Sequence, residues 1–142
     1  MLSSTKQFID YMDKKGVHYL CHEDVNSSHL DIVDVTYSCE NIPAVSLKLI
    51  FSKSCDNVSV RASNLVKFSE DKIPAMLVAV NQQNCRFRFV KFVIDFDENT
   101  VHGEMDACFG THDVGMICYD LLDKGVDICD KAYPELMKAL WG

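Results

Sequence analysis

The chain has 142 residues, 48% hydrophobic and 25% charged, with a formal net charge of −7. That length points to one domain spanning residues 1–142, able to bury roughly two-thirds of its unfolded surface without disulfide or metal staples. The acidity argues against a sequence-independent nucleic-acid binder and against docking on anionic lipid, since both need a basic face.

Ser3 or Ser4 is placed to N-cap a first helix, with Phe8, Ile9, Tyr11 and Met12 as its apolar stripe and Gly16 as its stop. Four strand patterns follow, over residues 17–23, 30–39, 45–51 and 58–65. In the third, Val45, Leu47, Leu49 and Phe51 share one face, and Ser46 and Lys48 the other. Short segments rich in Asn, Ser, Asp and Pro join these strands, so antiparallel hairpins are expected. A second helix follows, capped by Ser69 or Asp71, with Pro74 in its first turn. Ile73, Met76, Leu77, Val80 and Asn84 recur at helical spacing, and Asn81 and Asn84 end the helix.

Residues 86–96 read as a fifth strand with a break in parity. Phe87 and Phe89 share one face, whereas Phe92, Ile94 and Phe96 share the other. A bulge near Val90 and Lys91, or cover on both faces, would reconcile them. An acidic turn at residues 97–99 leads to a sixth strand over residues 100–109. Val114, Ile117, Leu121, Ile128, Ala132 and Leu136 then hold one helical phase through Gly125. They describe one long helix, weakened at Gly125 and kinked or restarted at Pro134.

Helix, strands, helix, strands and long C-terminal helix, without βαβ alternation, define an α+β fold. A twisted antiparallel sheet carries helices mainly on one face. No segment reaches the ~18 consecutive apolar residues of a membrane span. The N-terminal segment lacks an apolar signal region and carries Asp10 and Asp13. Seven cysteines, an odd number without C-x-x-C spacing, read as free thiols in a reducing cytoplasm.

Several short patterns carry a resemblance. The helix ending Ala79-Val-Asn81-Gln-Gln-Asn84, the strand Phe89-Val-Lys91-Phe-Val-Ile-Asp95, the acidic turn, and Ala132-Tyr-Pro134-Glu-Leu136 in the final helix resemble the YbjN-like family. Its members are bacterial proteins labelled sensory transduction regulators, with a fold similar to type III secretion chaperones. The chain departs from the pattern at Val90, where a smaller residue is expected. The resemblance implies an acidic, cytoplasmic, often dimeric protein that binds other proteins. It implies no catalytic residues.

Candidate chemistry is sparse. Cys21, His22 and Glu23 are zinc-ligand types, but neighbours on a strand point to opposite faces. Asp95, Asp97 and Asn99 have the 1, 3, 5 spacing of a calcium loop. Thr100 and Asp106 stand where such a loop needs Gly and Glu, so a hairpin turn is the better reading. Arg86, Arg88 and Lys91 interleave with Phe87, Phe89 and Phe92, a pattern that can stack single-stranded nucleic acid. The acidic whole favours a strand with core phenylalanines and solvated cations instead. Met105, Met116 and Met137 supply either core or an adaptable apolar surface.

Taken with the resemblance, which alone implies the chaperone-like character and the dimer, the reading is a non-enzymatic protein-binding module, chaperone-like or regulatory, acting as a homodimer with an unidentified protein partner. No cofactor, metal, nucleic acid or membrane is expected. The alternatives are a small-molecule or nucleotide sensor using a cleft between the sheet and the final helix, and a thiol-dependent enzyme or redox sensor.

Overall fold

Alternation of apolar and polar residues sets the sheet, and the tight polar turns make it antiparallel. The computed structural model describes residues 1–141. In chain order they form α1 (Ser3–Lys15), β1 (Leu20–His22), β2 (Asp31–Tyr37), β3 (Val45–Phe51), β4 (Asn57–Lys67), α2 (Ile73–Arg86), β5 (Lys91–Asp95), β6 (Thr100–Cys108) and α3 (Val114–Trp141). The six strands make one antiparallel sheet in the order β1-β2-β3-β4-β6-β5. The excursion through α2 brings β6 back beside β4 and leaves β5 at the edge. This is the α+β architecture read from the element order.

The core grows from rows of cross-strand partners on one face. Val33, Leu49, Val60 and Met105 form one row. Val35, Leu47, Ala62, Gly103 and Phe92 form the next. The second row narrows at Ala62 and Gly103, and α3 lies in that hollow. A Cβ added to Gly103 would come within 3.3 Å of Cys129 Sγ. The opposite face carries Asp34, Lys48, Arg61 and Glu104 in register. Lys48 Nζ reaches Asp34 Oδ1 at 2.8 Å, and Arg61 Nη1 reaches Asp106 Oδ1 at 2.9 Å.

Helix α3 buries Gly115, Cys118, Leu122, Gly125, Cys129, Ala132 and Leu136, alternating steps of three and four. The expected stripe is corrected here: Ile117 and Leu121 flank this seam and are only half-buried. Small residues hold the seam because other elements approach closely. A Cβ on Gly115 would stand 2.5 Å from Tyr11 Cβ, which marks where α1 crosses α3. A Cβ on Gly125 would collide with Met105 Cε. Gly125 is thus a packing position rather than a weak point. The helix also runs without a break through Pro134.

Pro134 has no N–H to give the carbonyl of Asp130, four residues earlier. Asn41 Nδ2 donates to that freed carbonyl at 3.2 Å. The backbone amides of Asn41 and Ile42 donate to Asp130 Oδ1 at 2.8 and 2.9 Å. The β2–β3 loop is therefore fastened to α3 at the proline.

Other boundaries also differ from expectation. The first strand is only Leu20–His22. Leu2, not Ser3 or Ser4, holds the cap position of α1. A carboxylate from β2 replaces a local cap, because Asp31 Oδ2 accepts from Leu2 N at 2.8 Å and Thr5 Oγ1 at 2.7 Å. Ser69 and Asp71 do not cap α2; a 3-10 turn over Glu70–Lys72 intervenes and Lys72 takes the cap position. Pro74 lies in the first turn of α2, as the sequence suggests. The buried seam of α2 is Met76, Ala79, Val80 and Gln83, whereas Leu77 faces solvent.

Helix α2 continues past Asn84 to Arg86, and β5 starts at Lys91. Residues 87–90 belong to neither element. This removes the parity conflict, since Phe87 and Phe89 lie in the corner and not in the strand. Among the described residues, no helix is long and apolar enough to cross a membrane.

Candidate functional site

The corner between α2 and β5 is built by three side chains. Phe92 N–H donates to Asn84 Oδ1 at 2.6 Å, and Asn84 Nδ2 donates to Phe92 O at 3.0 Å. Lys91 Nζ donates to the carbonyls of Asn84 and Phe87 at 2.8 and 3.0 Å, satisfying the end of α2. Val90 is buried against Gly103 and pins the corner to the sheet. With both ends held, residues 87–89 are pressed toward α3.

There they line a pocket of about 290 Å³ with Arg86, Lys124, Asp127, Ile128 and Lys131. Phe89 remains 54% exposed, with Lys124 Nζ 5.3 Å from its ring centre. The Arg86 guanidinium lies 4.7 Å from the centre of the Phe87 ring. Such placements are electrostatically favourable and hold each cation over an aromatic face. Lys131 is paired with Asp127 at 2.9 Å. Among the described residues, Arg86, Arg88 and Lys124 form no ion pair with a carboxylate. The pocket thus offers an apolar floor ringed by three available cations. That chemistry suits an anionic group attached to an apolar or aromatic one.

The basic-aromatic run expected as strand is instead this corner, and Arg86, Phe87, Arg88 and Phe89 are the part of it that reaches the pocket. Phe92 is core and Lys91 is engaged with helix carbonyls. The sequence reading did not find the α3 half of the site. Its signal was present, because 124, 127, 128 and 131 share one helical face.

A second hollow of about 480 Å³ lies between the β2–β3 loop and α3, lined by Glu40, Asp123, Asp127 and Asp130. Asp130 already serves the loop amides there. Cys39 lines the same hollow, and burial, followed by the Asp130 charge, pushes its thiol up. Tyr37 is pushed up to about 12, mainly by burial, with Tyr119 and Asp123 adding to it.

The remaining candidates are placed apart. Cys21 pairs with Val33 on the core side, while His22 Nε2 meets Asp34 Oδ2 at 3.1 Å on the other face. Glu23 binds the N-terminal amine at 2.9 Å. Among the described residues, no three His, Cys, Asp or Glu side chains come together as a metal-holding group. Asp95 Oδ1 accepts from the amides of Asp97 and Glu98 at 2.9 and 3.1 Å, which makes residues 95–99 a hairpin turn. Asn81 is exposed. Met105 is core, Met116 exposed and Met137 half-buried.

All seven cysteines are free thiols. Cys118 and Cys129 are pushed up to about 12 by burial. Cys55 differs. It sits against the start of α1, where the Ser3 hydroxyl and then the Ser4 amide donate to it and hold it below the usual thiol range.

Comparison of the chain with protein-family models, with curated proteins and with solved structures finds no match.

Proposed function

We propose that this chain is a non-enzymatic protein-binding module, chaperone-like or regulatory in the YbjN-like manner, working in the cytoplasm as a homodimer. The observation that carries the reading is the concentration of exposed apolar groups in one stretch of the chain. Leu77, Val78, Phe89, Val93 and Phe96, five of the nine exposed large hydrophobic side chains, fall within residues 77–96. They belong to α2, the corner, the edge strand β5 and the turn that follows it. Exposed apolar side chains on an edge strand and on the corner and turn that flank it are what a protein-binding surface offers.

Recognition here works through side chains rather than through long strand addition. Asn84 already occupies both backbone groups of Phe92, so the edge of β5 is blunted at its start. The test is retention of a partner by tagged protein from lysate of the source organism, with mass spectrometry of what is held. A stoichiometric protein partner, or a stable self-complex, supports the module. A monomer that retains nothing overturns it.

A further inference from the structure

The pocket at the α2–β5 corner has its chemical complement elsewhere on the same chain. We propose that the pocket receives the β5–β6 turn of a second copy, with Phe96 against Phe89 and Ile128, and Asp97 and Glu98 against Arg88 and Lys124. The inference rests on the dimeric protein-binding reading and assigns its surface.

Charge is the first argument. The pocket lining holds four cations against one carboxylate, although the chain carries a formal net charge of −7. Three of those cations have no carboxylate partner within the described chain. The turn holds the opposite set. Phe96 is 58% exposed, between Asp95 and the exposed Asp97 and Glu98. Asp95 is committed to the turn amides. Among the described residues, Asp97 and Glu98 form no ion pair. Carboxylates meeting guanidinium and ammonium groups beside an aromatic pair make a specific joint.

Placement is the second argument. The pocket lies before β5 and the turn lies after it, so a strand of five residues, about 16 Å at ~3.3 Å per residue, separates them. One chain cannot close that gap on itself. Two copies with their β5 strands antiparallel about a two-fold axis near Val93 bring each pocket to the other's turn, twice. Val93, exposed at the centre of β5, then meets its own equivalent. Because Asn84 holds the Phe92 backbone, this joint is made by side chains.

Two variants test it. One reverses the pocket, Arg88→Glu with Lys124→Glu, and the other reverses the turn, Asp97→Lys with Glu98→Lys. Light scattering follows each variant alone and as an equal mixture. Each alone should self-associate at least ~10-fold more weakly than the wild type, and the mixture should form a one-to-one heterodimer within about threefold of wild-type affinity. Recovery in the mixture also shows that both variants fold. A wild-type dimer indifferent to both reversals overturns this surface and leaves the dimer reading standing. A monomeric wild type overturns the surface as well, and the lysate test then decides separately whether the module binds another protein. Loss of a lysate partner on pocket reversal alone would assign the pocket to that partner instead.

Discussion

Asn84 holds Phe92 as a neighbouring strand would, accepting from its N–H at 2.6 Å and donating to its carbonyl at 3.0 Å. One side chain on α2 thereby satisfies a backbone position on the edge strand, sets the path of residues 87–90, and positions the basic-aromatic pocket.

Replacing it tests that arrangement. Asn84→Ala leaves the Phe92 N–H and carbonyl without their partner, and should cost about 1–3 kcal/mol in urea unfolding. Asn84→Asp keeps the acceptor and loses the donor, so its cost should be smaller. If Asn84→Ala unfolds like the wild type, the corner is held by other contacts.

Gly115 and Gly125 should respond differently to alanine. Alanine favours a helix interior by roughly 1 kcal/mol, which offsets part of any clash. At Gly125 the clash is with Met105 Cε, the far end of a flexible side chain that can move aside. At Gly115 it is with Tyr11 Cβ, which is fixed to the α1 backbone. Gly115→Ala should destabilise by at least ~2 kcal/mol, and Gly125→Ala by clearly less. Equal costs in chemical denaturation would contradict the close crossing of α1 and α3.

Acid should loosen the α1 N-terminus through Asp31. Burial opposes its ionisation, but hydrogen bonds from Leu2 N, Thr5 Oγ1 and Asp24 N outweigh that and hold the carboxyl below the ordinary range. A folded-state value below the unfolded one gives stability that is present above about pH 4 and lost as pH falls through the folded value. Asp31→Asn should flatten the decline in melting temperature between about pH 4 and pH 2. An unchanged slope would remove Asp31 from the acid response.

The thiols should react in a defined order. Cys55, favoured as thiolate by Ser3 and Ser4, should alkylate ahead of Cys21, Cys39, Cys118 and Cys129, whose thiols are all pushed up. Ser3→Ala should slow Cys55 and leave the others unchanged. Cys118 and Cys129 should label only on unfolding, read by mass spectrometry of peptides over time. Early labelling of Cys118 would contradict its place in the α3 seam.

Some of this was legible in the sequence, and the reasons are physical. Strand β3 matches its expected span because Val45, Leu47, Leu49 and Phe51 alternate cleanly over one buried face. The long final helix was visible from its periodicity. Its true seam was not, because Gly115, Cys118, Gly125 and Cys129 carry little hydrophobic signal although they are buried. The fifth strand was overextended because Phe87 and Phe89 are β-favouring residues held in a corner by tertiary contacts. Local pattern makes Asn84 a helix end, whereas its partner lies across the corner at Phe92. The Asp130–Asn41 fastening at Pro134 spans most of the chain, and no local pattern encodes it. For the same reason the α3 half of the pocket showed only as helical spacing.

We propose that this chain works by binding protein, beginning with its own copy. Light scattering on the wild type at ~100 μM and low salt, where surface charges are least screened, tests it most directly. A dimer of the 16.1 kDa chain, dissociating as salt is raised, is the predicted result. A mass of 16.1 kDa at every concentration, with nothing retained from lysate, would contradict it.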